Sequence, residues 1–230
     1  MNSKIKVIQD GPYLVSGGVP LREKLIVANS EGESIDYQVS REFEVSSEFA
    51  LCRCGKSSNK PFCDGSHAGV GFDGSETADR APYAHRAELF RGPYLSLTDQ
   101  EGLCAFARFC DPNGRVWNQV EKSDIPQVAD TFVPQVNKCP AGRLVPWETQ
   151  SGMSLEQARD PQVSILQDPE KQCSGPIWVE GGISIEAADG FIYESRNRVT
   201  LCRCGQSGNK PFCDGTHAAI GFRDELGEQI

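Results

Sequence analysis

The chain has 230 residues, a formal net charge of −9 at pH 7 and 38% hydrophobic residues. This acidic balance argues against partners that are nucleic acids or anionic membranes, because such partners need clustered lysine and arginine. No apolar run approaches the roughly 20 residues that span a bilayer. The N-terminus reads Met-Asn-Ser-Lys-Ile-Lys and lacks an apolar signal stretch, so we expect a soluble, cytoplasmic protein.

The first part of the chain predicts short β-strands. Residues 13–15 are β-favouring and end at a Gly-Gly turn signal. Val19 and Leu21 then alternate at period two, which is typical of a half-buried strand. A third strand is predicted through 43–51, and one short helix after the cysteine-rich loop that follows it. Residues 1–75 are therefore predicted to form a small, mainly-β module.

The middle of the chain has a different pattern. We predict a strand at 94–97 and helices at 102–109 and 124–136, which together make a small α+β insert over residues 76–150. Residues 151–172 are polar and are predicted to be a linker or a return segment.

An internal repeat organises the two ends of the chain. Residues 51–72 read LCRCGKSSNKPFCDGSHAGVGF, and residues 201–222 read LCRCGQSGNKPFCDGTHAAIGF, with five mild differences between them. The likeness extends upstream, where 11–21 parallels 175–185. Whole modules are therefore repeated, and the first copy is longer by an insertion near residues 22–40.

Each repeat carries three cysteines and one histidine. The candidate ligands are Cys52, Cys54, Cys63 and His67 in the first copy, and Cys202, Cys204, Cys213 and His217 in the second. Cysteines two apart point to one face of an extended chain, and a cysteine and a histidine four apart share one face of a helical turn. Clustered cysteines in a reducing cytosol are more often metal ligands than disulfides. Two ligand pairs suit a two-metal cluster, and a single tetrahedral zinc ion with three cysteines and one histidine is the alternative.

Both copies match the motif C-x-C-x2-S-x3-P-x-C-D-G-(S or T)-H at every fixed position. The chain therefore resembles the mitoNEET-like CDGSH iron–sulfur family. The resemblance implies two 2Fe–2S clusters, each with one inner and one outer iron. Cys52, Cys54, Cys202 and Cys204 would bind the inner irons, and Cys63, His67, Cys213 and His217 the outer irons. Single-motif relatives dimerise through a β-cap, which implies that the two modules, 1–75 and 173–230, pair as a pseudo-twofold within one monomer.

Three further cysteines lie in the insert. Cys104, Cys110 and the Cys139-Pro140 pair are similar to divergent mono-cluster ferredoxin domains, which end in a Cys-Pro turn. Ala107 occupies the position of a central ligand, so a full four-cysteine site is missing. Two interpretations stay open: buried thiols in an evolved remnant, or a third cluster with three cysteine ligands.

The sequence predicts an iron–sulfur protein for electron transfer or for cluster storage and transfer. Its partner would be a redox protein or an apo-acceptor protein. No catalytic constellation is present, so we do not expect an enzyme. The alternatives are a zinc-stapled interaction module, in which the metal only folds the chain, and an accessory subunit of a reductase. His85 is predicted to be an exposed loop residue, and Cys173 a partly buried free thiol.

Overall fold

The computed structural model describes residues 3–224; positions 1, 2 and 225–230, which complete the two predicted terminal modules, lie outside the described residues. Strands dominate the described chain, as predicted, and three sheets contain them. The strands are β1 (Lys4–Val7), β2 (Tyr13–Ser16), β3 (Leu21–Ala28), β4 (Ser34–Phe43), β5 (Glu48–Leu51), β6 (Glu88–Arg91), β7 (Leu95–Asp99), β8 (Leu144–Glu148), β9 (Gln162–Asp168), β10 (Cys173–Glu180), β11 (Ser184–Glu186) and β12 (Arg198–Leu201). The helices are α1 (Ser66–Gly69), α2 (Val116–Val120), α3 (Pro126–Asn137) and α4 (Thr216–Ala219).

The two larger sheets follow one plan and exchange a strand. The first has the order β11-β1-β2-β5, and the second has the order β12-β10-β9-β3-β4. In each module, the strand that follows the Gly-Gly turn leaves its own sheet and joins the other one. There β11 pairs in parallel with β1, and β3 pairs in parallel with β9.

The two sheets also share one register. Ile5 lies opposite Val15 on one side and Ile185 on the other. Val163 lies in the same way between Val179 and Leu21. The terminal modules are therefore related by a pseudo-twofold with exchanged strands, as the family resemblance implied. Apolar side chains of both modules form one hydrophobic core between the sheets.

The longer first copy owes its extra length to a hairpin. Strands β3 and β4 pair antiparallel from Leu21–Phe43 to Ala28–Ser34, and β4 extends the edge of the second sheet. This hairpin occupies the predicted insertion near residues 22–40. Phe43 ends β4, so the strand predicted through 43–51 is confined to Glu48–Leu51.

The insert folds around its own small core. The sheet β6-β7-β8 packs against α2 and α3, and Leu97, Phe132 and Leu144 lie buried between them. The predicted strand at 94–97 and the predicted helix at 124–136 are confirmed as β7 and α3.

The predicted helix over 102–109 is wrong. A 3₁₀ turn at Glu101–Leu103 is followed by an irregular loop, in which Phe106 has a φ of 55° and Arg108 a φ of 61°. Ala105, Ala107 and Phe109 are buried at period two, and this alternation is incompatible with a helical face.

The predicted linker over 151–172 also needs correction. Residues 162–168 within it form β9, a buried strand at the centre of the second sheet. It takes the place that β1 takes in the first module. Its polar residues misled the prediction because several are hydrogen-bonded inside the fold; Gln167, for example, contacts Glu23 and Asp224.

One buried arginine attaches the insert to the second module. The guanidinium of Arg198 donates hydrogen bonds to the carbonyls of Val136, Cys139 and Leu144 at 2.8–2.9 Å. The matching position of the first module is Glu48, because Leu51 and Leu201 are equivalent in the two sheets. This arginine anchor therefore exists in the second module only, while Lys138 and Phe109 of the insert contact Tyr37 on β4 of the first module. Within residues 3–224, no helix combines the length and apolar composition that a bilayer crossing demands.

The two cysteine-rich loops meet back to back at the pseudo-twofold. A Cβ on Gly55 would lie 2.8 Å from the carbonyl oxygen of Cys204, and a Cβ on Gly205 would lie 2.6 Å from that of Cys54. Both glycines have positive φ, near +74° and +79°. Only glycine satisfies the backbone conformation and the close approach together.

We expect Gly205→Ala to destabilise the protein more than Gly18→Ala. Gly18 also has a positive φ, of 70°, but no atom lies within 4 Å of its added Cβ. In both variants, placing alanine at a positive φ costs about 1–2 kcal/mol. Gly205→Ala should lose a further ~1–3 kcal/mol from overpacking against Cys54. Denaturant unfolding checks this, and equal losses would mean that the loops do not meet.

We expect the full chain to sediment as a monomer near 25.1 kDa. The exchanged strands β3 and β11 find their partners inside the chain, so the pairing that single-motif relatives make between subunits is already satisfied. An obligate dimer that persists on dilution in sedimentation velocity would contradict this expectation.

Candidate metal centres

The first candidate centre contains two donor pairs. Cys52 and Cys54 follow β5, and their sulfur atoms lie 3.8 Å apart. Cys63 and His67 lie before and within α1, with the Cys63 sulfur 3.4 Å from Nδ1 of His67. Both pairs have the shared faces that the sequence spacing predicted.

Backbone hydrogen bonds hold the two pairs beside each other. The amide of Cys52 donates to the carbonyl of Pro61 at 2.8 Å, and the amide of Cys63 donates to the carbonyl of Ala50 at 3.0 Å. The segment that carries Cys63 therefore returns antiparallel to the end of β5, where the first pair lies. All four predicted ligands of the first copy come together in this way.

The second centre repeats this construction. The sulfur atoms of Cys202 and Cys204 are 3.7 Å apart, and the Cys213 sulfur is 3.3 Å from Nδ1 of His217. The amides of Cys202 and Cys213 make the matching backbone bonds, each at 2.9 Å. Across residues 3–224, no three cysteine, histidine, aspartate or glutamate side chains are grouped around a single metal position. The donors of each copy are arranged as two pairs.

An aspartate and a serine of the motif fix each loop. The carboxylate of Asp64 accepts hydrogen bonds from the amides of Ser58 and Ser66, at 2.8 and 3.0 Å, and these bonds hold its pKa below its ordinary value. The hydroxyl of Ser57 donates to the carbonyl of Phe62 at 2.7 Å. Asp214 and Ser207 make the equivalent bonds in the second copy.

The thiols lie where a positive ion would stabilise their charged form. Burial raises the pKa of Cys54 and of Cys213. Within the second cysteine pair, the hydrogen bond from Cys204 lowers the pKa of Cys202 to about 6 and raises that of Cys204. The amides of Lys56 and Gly215 point at the sulfurs of Cys54 and Cys213, each at 3.4 Å. Thiolates are the form that binds metal, and these contacts favour thiolates once a cation is present.

The second histidine is held neutral. Burial, followed by the positive charge of Arg203, lowers the pKa of His217 to about 4. A neutral imidazole with a free ring nitrogen is the form that ligates metal. His217 is therefore ready to bind metal at neutral pH without losing a proton.

The arginines between the paired cysteines, Arg53 and Arg203, are buried, although arginines on the strand face opposite the ligands would be expected to face solvent or the other module. Arg53 donates to the carbonyls of Ile8 and Gly74. Arg203 donates to the carbonyls of Gly175 and Leu166 and forms an ion pair with Asp224. Each arginine thus fixes its cysteine segment to its own module. The sequence did not predict this structural role of the arginines; only their position between two ligands indicates it.

The two centres differ in exposure. Cys63 and His67 of the first centre are partly exposed, whereas the side chains of Cys213 and His217 are 3% and 4% exposed. The insert forms part of the cover over the second centre. Ala105, Cys139 and Ala141 belong to one buried cluster with Cys213, and α4, which carries His217, packs against β10.

The three insert cysteines line one small cavity. Cys104 and Cys110 contribute the two ends of the irregular loop, and Cys139 contributes the turn after α3. Burial, together with the charges of Asp111, Cys139 and Cys104, raises the pKa of Cys110 to about 12. The guanidinium of Arg108 fixes the loop to Asp168 on β9, at 2.5 Å. The fold therefore brings together the three cysteines whose role the sequence left open.

The remaining predicted residues lie apart from both centres. His85 is exposed at the end of a 3₁₀ turn, as predicted. Cys173 is buried at the start of β10, where its thiol pKa is raised by burial. Tyr13 was not predicted to be a site residue; its hydroxyl donates to the carbonyls of Cys202 and Pro211, at 2.8 and 2.9 Å. Because module two has Ile177 at this position, only the comparison of the two copies could have indicated it.

Comparison with known families agrees with these sites. Residues 10–68 and 174–218 match the model described as iron-binding zinc finger CDGSH type. Residues 90–149 match the model described as divergent 4Fe-4S mono-cluster. No curated protein matches the chain in a sequence search.

Each CDGSH region contains one complete set of three thiols and one imidazole, which is a donor set that suits iron–sulfur chemistry. These features define an iron–sulfur-binding protein. Two regions of the chain match the CDGSH family, on either side of the region that matches the divergent 4Fe-4S model.

We expect Asp224→Asn to destabilise the fold by about 3–5 kcal/mol near pH 7, because it leaves the buried charge of Arg203 unpaired. Burial raises the pKa of Asp224, but the charge of Arg203 and hydrogen bonds from Ser174 and Gln167 lower it below its ordinary value. A carboxylate with a lowered pKa stabilises the fold above its unfolded pKa, and this contribution is lost as pH falls through the folded pKa. The difference between wild type and variant should therefore shrink below about pH 4.

Asp73→Asn is the matched control. Asp73 lies at the corresponding end of module one but is exposed and makes no ion pair among the described residues. Denaturant unfolding of both variants between pH 3 and pH 7 measures the effect. Equal, small losses in the two variants would show that the Arg203 ion pair does not stabilise the fold.

Proposed function

We propose that this protein binds two 2Fe–2S clusters, each through three cysteines and one histidine, and uses them for electron transfer or for cluster storage and transfer. The observation that carries the proposal is the pairing of the donors. Each copy offers one pair of thiols and one thiol–imidazole pair, at 3.3–3.8 Å within a pair. A binuclear cluster takes two protein ligands at each of its two irons.

The alternative is one structural zinc ion per module. Zinc takes all four ligands around one atom, whereas the donors here form two separate pairs. The conserved spacing between copies supports the same choice, since both copies repeat the pairing with different neighbours around them. The CDGSH match adds that the family binds iron.

The proposed function in electron transfer rests on how the ligand residues would set the charge of a bound cluster and the ease of its reduction. A bound cluster would supply a one-electron couple, while the protein supplies ligands and tuning. A neutral imidazole in place of one thiolate leaves the centre less negative and easier to reduce. The partly exposed Cys63 and His67 offer one centre to a partner, which would be a redox protein or an apo-acceptor protein. No residue set in the proposal performs catalysis, and the alternative role is that of an accessory electron-transfer subunit of a reductase.

We also propose that the cysteine trio binds a third iron–sulfur cluster. Cys104, Cys110 and Cys139 face one cavity, and the region matches a divergent 4Fe-4S mono-cluster model. The loop over 104–110 and the turn after α3 supply the cysteines that line this cavity. Three thiolates suffice to hold a cluster. The shared cavity and the family match therefore favour a bound cluster over a remnant without one.

We expect the purified protein to be red-brown, with about four irons and about four sulfides at the two terminal sites. Cys63→Ala should remove the iron of the first site and Cys213→Ala that of the second, each lowering the count by about two. Metal and sulfide analysis with absorption spectra measures this. A colourless protein with about two zinc ions and no sulfide would favour the structural zinc alternative.

We expect the wild type to contain three or four irons beyond those of the terminal sites, and Cys110→Ala to lose only these. Cys173→Ala is the matched control, because Cys173 is a cysteine outside the three donor sets. If Cys110→Ala and Cys173→Ala have the same iron content as the wild type, the trio is a remnant and the two-cluster proposal still stands.

A further inference from the structure

The cysteine trio lies directly against the second CDGSH centre. Cys139 and Cys213 belong to one packed cluster with Ala105 and Ala141. A Cβ on Gly215 would lie 3.2 Å from the carbonyl oxygen of Cys104. Two of the three trio cysteines therefore contact the segment that carries the outer ligands of the second centre.

The corresponding surface of the first centre is open. Gly65 and Gly215 occupy the same motif position with nearly the same φ, +89° and +86°, yet nothing lies within 4 Å of a Cβ on Gly65. Asn209 donates a hydrogen bond to the carbonyl of Gly102 in the insert, at 3.0 Å. Its counterpart, Asn59, is hydrogen-bonded only within its own loop among the described contacts.

The two CDGSH centres are also adjacent to each other. The carbonyls of Cys54 and Cys204 each approach the glycine of the opposite loop, so the inner cysteine segments are in backbone contact. Tyr13 of module one adds a hydrogen bond to the carbonyl of Cys202. Within residues 3–224, no side-chain hydrogen bond is made in the opposite direction to the carbonyl of Cys52, because Ile177 stands in place of the tyrosine in module two.

We infer that the three donor sets form a row in which the second centre is a buried relay between two partly exposed ends, the first centre and the trio. The inference rests on the proposed function. With clusters held by these donor sets, a soluble one-electron carrier protein would be oxidised by one electron as the first centre is reduced. Each centre of the row would in turn be oxidised as its neighbour is reduced, with no bond made or broken.

The burial pattern places the buried centre in the middle of the row. Cys63 and His67 at one end are partly exposed, as are the trio cysteines at the other end, whereas Cys213 and His217 are buried. Arg108 on Asp168 and Arg198 on three insert carbonyls hold the insert in place. The sequence repeat alone would make the two centres equivalent; the insert makes them different.

Electron paramagnetic resonance of dithionite-reduced protein tests the order of the row. Cys63→Ala leaves the second centre and the trio, and we expect its signal to be broadened by spin coupling and to relax several-fold faster than that of Cys63→Ala/Cys110→Ala. Cys213→Ala leaves the first centre and the trio, which do not adjoin, so adding Cys110→Ala should not change its relaxation. Equal effects of Cys110→Ala in the two backgrounds, or no effect in either, would overturn the inference.

The iron content of the variants distinguishes failure of the row inference from failure of the proposed function. Colourless protein without terminal iron refutes the proposed function. If Cys110→Ala loses no iron, the trio end of the row is absent, and the inference alone is overturned. Unchanged relaxation, with iron present at all three donor sets, also overturns the inference alone.

Iron release to a bulky, charged chelator at neutral pH tests the exposure of the centres. We expect the first centre to lose iron about tenfold faster than the second, since the second must first open locally. Gly215→Ala, which crowds Cys104, should speed release from the second centre, while Gly65→Ala carries the same backbone cost without that contact. Equal release rates from both centres of the wild type would contradict the assignment of the first as the outward one.

Discussion

The structure depends on the parallel pairing of two exchanged strands. β3 lies beside β9, and β11 lies beside β1, so each sheet is completed by a strand from the other module. A sheet that lost this strand would expose the apolar side chains of Ile5 or Val163, each worth about 1.5–3 kcal/mol when buried. The exchange therefore ties the two modules into one core. It also fixes the pseudo-twofold axis, and with it the meeting of the cysteine-rich loops at Gly55 and Gly205.

A duplicated sequence here produces two centres with different surroundings. The ligand geometry is nearly the same in both, because the ligands, the loop aspartate and the loop serine are all repeated. The differences arise at positions outside the motif. Under the pseudo-twofold, Arg198 corresponds to Glu48, Asp224 corresponds to Gly74, and Ile177 corresponds to Tyr13. These exchanges bring the insert onto the second centre and leave the first one open.

The local motif could be predicted from the sequence because its geometry is set by spacing over a few residues. Cysteines two apart on an extended segment, and a cysteine four residues before a histidine on a turn, pair in the structure as their spacing predicts. The strand exchange itself was not predictable from periodicity, since the same alternation of Val19 and Leu21 suits either sheet. The β9 strand was missed because Gln162, Ser164 and Gln167 make it polar, and the partners of Gln162 and Gln167, Arg22 and Asp224, come from distant parts of the chain. The loop 102–109 was predicted to be a helix because alanine and phenylalanine allow one, whereas tertiary contacts of Phe109 and Arg108 determine its extended course.

The central claim is that each module binds two irons through unlike donor pairs. Mössbauer spectroscopy of iron-57-enriched protein tests it most directly, because iron bound by two thiolates and iron bound by one thiolate and one imidazole differ in isomer shift. For Cys110→Ala, which lacks the trio, the account predicts two quadrupole doublets of equal area. A single doublet, or doublets whose areas do not change together in Cys63→Ala, would contradict paired ligation by Cys52, Cys54, Cys63 and His67.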